Sequence, residues 1–392
     1  MNQGKFVFSQ VVEFIPRYQF DKLVKQYKGD WHSKNLSSYN HLLHLVFGQL
    51  TGCDSLRDIC LCLEAHNRIL YHLGFRKTVN HTSLSRANES RDYRIFEGLG
   101  LYLIDTVRPM YSNIQLTQVT IDNVIYALDS TTISTSIKLA TWAFGKYSKG
   151  AVKMHTLLDL RGSIPANIHI TDGKWHDSNE LDVLTPEPYA FYVMDKAYVD
   201  FKALFRFHQA QAFWGSRPKE NMKFDTVEQM TIPSVNSGIL EDSRIRVTGY
   251  NSSKLYPEDM RFVRVYDPEN DTIVDFISNN FEVSALEISN LYRHRWDIEV
   301  FFKWIKQNIS VKTLWGYSEN AVKVHLWTAI ISYLTVARIK ADYNSPYSIT
   351  EVATLIRISA MERTDLRSLI TKQDSSIISN QNVKELSLFD DI

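Results

Sequence analysis

Read as an α-helix at about 100° per residue, the stretch YRHRWDIEVFFKWIK (292–306) gathers Tyr292, Arg295, Glu299, Lys303 and Lys306 on one face, within an arc of roughly 80°. Trp296, Ile298, Val300, Phe301, Trp304 and Ile305 fill most of the remainder. A mostly apolar helix thus carries one narrow polar stripe, the reverse of an ordinary surface helix. A carboxylate between cations on such a stripe suits a site for a charged ligand; the plainer alternative is an amphipathic helix on which Glu299 pairs with Lys303 at i,i+4. Two further acids end apolar, strand-like runs: Asp129 after VIYAL and Asp195 after FYVM. A strand end fixes a side chain while letting it reach the rim of a sheet, although an Asp there also serves to cap a turn. Converging carboxylates repel unless cations neutralise them, and hard cations such as Mg²⁺ prefer oxygen ligands. Two such ions about 3.5–4 Å apart activate a water or hydroxyl nucleophile and stabilise the leaving oxygen of a phosphodiester. Metal-assisted phosphodiester chemistry is the expectation for Asp129, Asp195 and Glu299 together.

The elements that must position these residues are legible from periodicity. Residues 1–118 read as helical, with three-to-four-residue apolar spacing in FDKLVKQY, YNHLLHLVFGQLTG, SLRDICLCLEAHNRILYHLGF and RIFEGLGLYLIDTVRPMY. Within them Asn80–Ser83 offers an N-cap for a short helix displaying Ser85, Arg86, Asn88 and Arg91 after a turn, a spacing similar to a helix-turn-helix whose second helix enters a major groove. Arg86, Asn88 and Arg91 are therefore candidate DNA contacts. From about 119 the pattern turns to strands: QVTIDNVIYALDSTTIST, VKMHTLLDLRGSIPANIHITDG and YAFYVMDKAYVD. Helix resumes after Asp200 with FKALFRFHQAQA. Residues 212–283 return to strands with a DPEND turn between alternating runs, and a helix beginning near Ser284 carries the polar stripe. The expected organisation is a helical DNA-binding domain (1–118), a first part of a catalytic core (119–211), a β-rich insertion (212–283), a second core part with the Glu299 helix (284–345) and a C-terminal helical region and loosely held tail (346–392).

Composition bounds the rest. With 44% hydrophobic and 22% charged residues the chain matches ordinary globular proteins. Its N-terminus lacks a basic region followed by an apolar run, and Leu326–Ile339 is too short and interrupted to span a bilayer, so a cytoplasmic protein with no membrane partner is expected. Cys53, Cys60 and Cys62 lack CxxC spacing and read as core residues, and His41 and His44 share a helix face without companion ligands, which favours packing over a metal site. Net charge is zero, from 44 Lys and Arg against 44 Asp and Glu. The distribution is uneven: Lys138–Lys174, Lys202–Lys223 and Tyr292–Lys323 are each net basic and flank the carboxylates, a pattern suited to a polyanion entering an acidic pocket.

The motifs resemble those of the DDE transposases of the insertion sequence 4 family. That family's spacing Tyr-x-x-Arg-x-x-x-Glu-x-x-x-x-x-x-Lys is met without a gap by Tyr292, Arg295, Glu299 and Lys306. Its first-Asp motif is similar to Leu128-Asp129-Ser130-Thr131 and its second to Asp195-Lys196-Ala197-Tyr198, where many relatives have Gly in place of Ala197. The resemblance extends through KMHTLLDLRGSIPANIHITDG and into the N-terminal helices. It implies an α/β core of RNase H-like type, a mixed five-stranded sheet with flanking helices, preceded by an all-α N-terminal domain and interrupted by a β-rich insertion. It also implies cut-and-paste transposition of an insertion sequence: hydrolysis at the element's ends, a hairpin intermediate, its reopening, and strand transfer into target DNA. Asp129, Asp195 and Glu299 would hold two Mg²⁺ ions, with Mn²⁺ able to substitute. Tyr292, Arg295 and Lys306 would contact phosphates near the cut; Lys303, on the same polar stripe, is a further candidate contact to the DNA backbone. The implied partners are terminal inverted repeats, target DNA and a second copy of the chain in a homodimeric synaptic complex. A Trp in the insertion of relatives receives a flipped base; no Trp lies between Trp214 and Trp296 here, which leaves Trp296, Tyr266 or Phe276 for that role. Two rival readings stay open on the residues alone, a catalytically inactive DNA-binding regulator descended from a transposase and an RNase H-fold nuclease that cuts without joining.

Overall fold

Short polar side chains set the helix starts along the first third of the chain. Ser37, Ser55 and Asn80 each accept a backbone N–H of the following first turn, opening α3 (Ser38–Thr51), α4 (Leu56–Ala65) and α5 (His81–Ser90). α1 (Val7–Val12) and α2 (Arg17–Gln26) precede them and α6 (Arg94–Val107) follows. α3 stops where Gly52 takes a left-handed φ of 74°, a conformation that costs glycine little. The computed structural model describes residues 4–31, 33–135, 142–143, 150–232, 238–308 and 314–371. Lys138, Lys146, Lys149 and Lys312 of the basic segments, and the polar tail from residue 372, lie outside the described residues.

β-Branched and aromatic runs then build β1 (Ile125–Thr135), the hairpin β2 (Gly150–Asp159) and β3 (Ile164–Asp172), and after α7 (Asp177–Val183) the short buried β4 (Phe191–Met194). α8 (Phe201–Gln209), capped by Asp200, leads to β5 (Phe213–Ser216). β6 (Phe224–Gln229), β7 (Ile239–Val247), α9 (Tyr250–Leu255), β8 (Met260–Asp267) and β9 (Thr272–Ser278) follow. The strands form one mixed sheet in the order β3-β2-β1-β4-β5-β9-β8-β7-β6. β1, β4 and β5 run parallel; the other pairings are antiparallel.

The sheet has nine strands rather than the expected five, because the strands of the later stretch join it. The free edge of β5 bonds to β9 through Gly215–Ser278 and Ser216–Ile277, so strands of the later stretch cover an edge that would otherwise stay unpaired. β5 falls within residues 212–283, yet it pairs in parallel with β4.

After Ser284, whose side chain caps it, α10 (Ala285–Arg293) runs into a 3-10 turn at His294–Trp296 and then α11 (Asp297–Asn308). The single regular helix expected over 292–306 is thus interrupted, and His294 marks the break by binding both the Thr117 carbonyl and the Asp297 carboxylate. The 24-residue α12 (Glu319–Asp342) is buried along most of its circumference, and its Thr328, Ser332 and Thr335 hydroxyls donate to carbonyls one turn back. α13 (Ile349–Ser359) and α14 (Leu366–Thr371) are the last elements of the described residues. α12 packs on α3, α5 and α6, and Gly100 of α6 lets the Trp327 ring lie against backbone, where a Cβ would stand 2.6 Å from the ring. One apolar core therefore joins the N-terminal helices, α11, α12 and one face of β1–β3; a second fills the opposite face around Tyr192, Leu204 and Trp214. Among the described residues, no helix is long and apolar enough to cross a membrane.

Candidate active site

β4 stops at Met194 whereas β1, paired with β2, runs on to Thr135, so Asp195 follows a strand end as expected but Asp129 lies within its strand, a correction to the expected strand end. Tyr126, Ala127 and Leu128 are buried, as are Tyr192, Val193 and Met194, and the parallel register pairs Leu128 with Met194. Asp129 and Asp195 each follow this last pair, and the Asp195 charge is felt at Asp129. β5 pairs Val193 with Gly215, and Arg217, just past its end, lines a cavity with Tyr292 and Arg295. Arg217 lay unrecognised in the sequence because FWGS reads as the start of the inserted strands; its place appears only when β5 is paired to β4.

Glu299 arrives from α11. Ile298, Phe301, Phe302, Trp304 and Ile305 are buried, with Phe301 and Trp304 edge-on to Tyr333 of α12 at centroid distances of 5.0 and 4.8 Å. Burying each such side chain contributes about 1.5–3 kcal/mol, so the helix is held by its apolar face and Glu299 turns to the other. The apolar face is narrower than expected, since Trp296 and Val300 are more than half exposed.

One guanidinium joins the two elements. Arg295 Nη1 donates to Asp129 Oδ2 at 3.2 Å and Nη2 to Glu299 Oε1 at 3.0 Å, with the Arg295 side chain only 13% exposed. Glu299 thus pairs with Arg295 rather than Lys303. Burial pushes the Asp129 carboxyl up to about 6, and the neighbouring Asp195 and Glu299 charges add to the rise against the pull of the Ser130 amide and Arg295. The Asp195 carboxylate accepts the Ala197 amide at 3.0 Å and caps the 3-10 turn Lys196–Tyr198. Burial raises the Tyr292 phenol, with Asp195 adding to the rise and Arg295 opposing it.

Two hollows flank this centre. An open pocket of about 430 Å³ is lined by Asp129, Ser130, Thr131, Glu299, Phe302, Lys303, Lys306 and Gln307. Lys303 and Lys306 are exposed along it and make no ion pair among the described residues. On the other side of Arg295 a cavity of about 230 Å³ is lined by Tyr292, Trp296, Phe276, Arg217, Arg293 and Val265, among others. Of the three aromatics considered for base stacking, Trp296 stands exposed at this cavity, Phe276 is buried against Tyr292, and the Tyr266 hydroxyl is tied to Asp271.

The donor set is all oxygen, as hard divalent cations require. Among the described residues no three acids yet stand at metal-ligand spacing, and the Arg295 guanidinium occupies the gap between Asp129 and Glu299 as a stand-in cation. A single guanidinium balances one of the three negative charges. Asp129, Asp195 and Glu299 fit a metal site provided that Arg295 yields its place.

The N-terminal candidates are dispersed. Arg86 is exposed on α5, but Asn88 is fully buried: it accepts from His41 Nε2 at 2.6 Å and donates to the Trp315 carbonyl at 3.0 Å. Arg91 is buried too, binding the carbonyls of Gly29 and Leu36. The expected exposure of Asn88 and Arg91 is therefore wrong; α12 and the 29–36 loop cover the face that spacing alone leaves open. His41 and His44 are core residues, and burial drives both imidazoles to the neutral form. Cys53, Cys60 and Cys62 are free thiols packed against the core.

A transposase DDE domain profile matches residues 121–335, more than half of the chain and the whole of this site. The chain belongs to the transposase DDE domain family. Residues 3–76 match a domain of unknown function. The chain is 32% identical over 220 residues to a protein of Sinorhizobium fredii named as a transposase, covering 55% of this chain and 61% of that one. It is 29% identical over 208 residues to a probable transposase for insertion sequence element IS5377 of Geobacillus stearothermophilus, covering 53% and 54%. To a protein of Synechocystis named as a transposase for insertion sequence element IS4SA it is 26% identical over 262 residues, covering 66% and 71%. The chain thus spans well under two thirds of the length of the first two relatives.

Proposed function

We propose that this chain cuts the ends of an insertion sequence and joins them to target DNA, with Asp129, Asp195 and Glu299 as the catalytic carboxylates. The observation that carries the reading is Asp129 on β1 joined to Glu299 on α11 through Arg295, with Asp195 just past the neighbouring β4 and Lys303 and Lys306, which make no ion pair among the described residues, beside them. The strand order β3-β2-β1-β4-β5, with β2 and β3 antiparallel and Glu299 on a helix packed against β1, supports an RNase H-like core that β6–β9 extend. When bound, two Mg²⁺ ions held by the three carboxylates would activate the attacking water or 3′-hydroxyl and stabilise the leaving oxygen.

The residues around them divide the remaining work. Arg295, released from its carboxylates, turns its two-pronged donor to a phosphate beside the cut. Lys303, Lys306 and Arg217 hold the backbone on either side of the carboxylate row. Trp296 offers its exposed ring at the 230 Å³ cavity to a base displaced from the duplex. A hairpin intermediate fits that arrangement, because an extruded base relieves the strain of a tight DNA turn. Two copies of the chain, one at each end of the element, would form the synaptic complex. The test is incubation with the element's own terminal inverted repeats, Mg²⁺ and target plasmid. Nicks, hairpins and joined products are expected; cutting without joining would make the chain a nuclease, and binding without cutting a regulator.

A further inference from the structure

Behind the carboxylates lies a polar network that the chemistry above does not use. Ser130, next to Asp129, donates its hydroxyl to Asp177 Oδ1 at 2.6 Å, while its amide donates to Asp129 Oδ1 at 2.7 Å. Lys153 of β2 donates to the same Asp177 oxygen at 3.0 Å and to the Trp175 carbonyl at 3.0 Å. Tyr198, three residues after Asp195, is fully buried beside Ser130 and Asp177, its hydroxyl without a closed hydrogen bond among the described residues.

We propose that Asp177 is a positioning residue that, through Ser130 and against Tyr198, fixes the Asp129–Ser130 stretch of β1 relative to the end of β4 and so sets the spacing of the Asp129 and Asp195 carboxylates. The inference rests on the metal-binding reading of those carboxylates. Its physical basis is threefold. Among the described residues, the β1–β4 ladder stops at the Leu128–Met194 pair, while β2 holds the other side of β1 through Asp129–Thr156 and Ser130–His155. The spacing from Asp129 to the chain beyond β4 is therefore left to side-chain contacts, and the Ser130 hydroxyl makes one. Asp177 is itself fixed by Lys153, which also cancels its charge, so that it does not become a fourth repelling carboxylate at the site. Outer groups of this kind typically change metal affinity or activity by about 10–100-fold when removed.

The test uses the full chain without DNA and reads Mn²⁺ binding by electron paramagnetic resonance, beside thermal unfolding in EDTA. Asp177→Ala should weaken Mn²⁺ binding by about tenfold or more. Ser130→Ala, which leaves the Lys153–Asp177 pair intact and decides the matter should Asp177→Ala fail to fold, should weaken it comparably with an unchanged unfolding midpoint. The double variant should lose no more than the worse single one, since both break one linkage. Parent-like Mn²⁺ affinity in Ser130→Ala, or losses that multiply in the double variant, would overturn the inference. Asp129→Asn separates this from failure of the underlying reading: if it loses Mn²⁺ while Ser130→Ala and Asp177→Ala bind as the parent does, only the positioning role falls. If Asp129→Asn binds as the parent does, the metal site and the inference fall together.

Discussion

Asp129→Asn should stabilise the metal-free protein. Asp129 is 20% exposed and its carboxyl is raised from 3.8 to about 6, so at neutral pH the folded chain carries a charge it holds less comfortably than the unfolded chain does. A shift of about two units corresponds to roughly 3 kcal/mol at about 1.36 kcal/mol per unit, with the attraction of Arg295 already netted in. Residual solvent screening reduces the expected gain to about 1–2 kcal/mol, or roughly 1–3 °C in the unfolding midpoint of a chain this long. The sign with pH follows from proton binding. A carboxyl raised on folding binds its proton more tightly in the folded state, so stability falls as pH rises from about 4 to about 6. Below that window both states are protonated and the difference between parent and variant disappears; above it the difference is full. Denaturant unfolding in EDTA at pH 7.5 and 4.5 measures this, with the variant more stable at the higher pH and its lead cut to about a third at the lower, which lies inside that window. Excess Mg²⁺ at pH 7.5 should then narrow or reverse the order, because only the parent gains from the bound ion. A variant less stable than the parent at pH 7.5, or a difference that ignores pH, would refute the account of Asp129 as a buried carboxylate only partly compensated by Arg295.

Lys306→Ala should weaken DNA binding across sequences and flatten its salt dependence by about one unit of log–log slope; an unchanged slope would leave Lys306 outside the interface. Arg217→Ala should do the same if the third strand end is part of the backbone track, and affinity over a salt series reads both. Asn88→Ala should cost about 2–4 kcal/mol in unfolding experiments, because it strands the His41 imidazole and the Trp315 carbonyl in the core. A stable Asn88→Ala protein with altered end specificity would return this residue to recognition.

What the sequence made legible was local. The end of β4 follows from an apolar run that stops at an acid, though β1 runs past Asp129 to Thr135, and the starts of α5, α10 and α12 follow from Asn80, Ser284 and Ser318, whose side chains accept the N–H groups of the next turn. What it hid depends on partners distant in the chain. Asn88 and Arg91 look exposed by helical spacing, but Trp315 lies 227 residues from Asn88 and no local pattern announces it. β5 is four residues long, and only its pairing shows that it belongs beside β4 and carries Arg217 to the cavity with Tyr292 and Arg295. The 3-10 turn at His294 arises from the Thr117 carbonyl, again a distant contact. Asp177 in HDSNE reads as an ordinary acid in a first helical turn; its link to Ser130 exists only once β1 and α7 are packed.

The central claim is that Asp129, Asp195 and Glu299 act together on DNA. Its most direct test is the rate of Mg²⁺-dependent cleavage of terminal-repeat DNA by the parent, Asp129→Asn, Asp195→Asn and Glu299→Gln, compared at equal occupancy of the DNA. Each variant should bind the repeats as the parent does and cleave at least about a thousandfold more slowly, since a lost ligand removes metal activation while shape is kept. Cleavage at the parental rate by any one of the three would contradict the account.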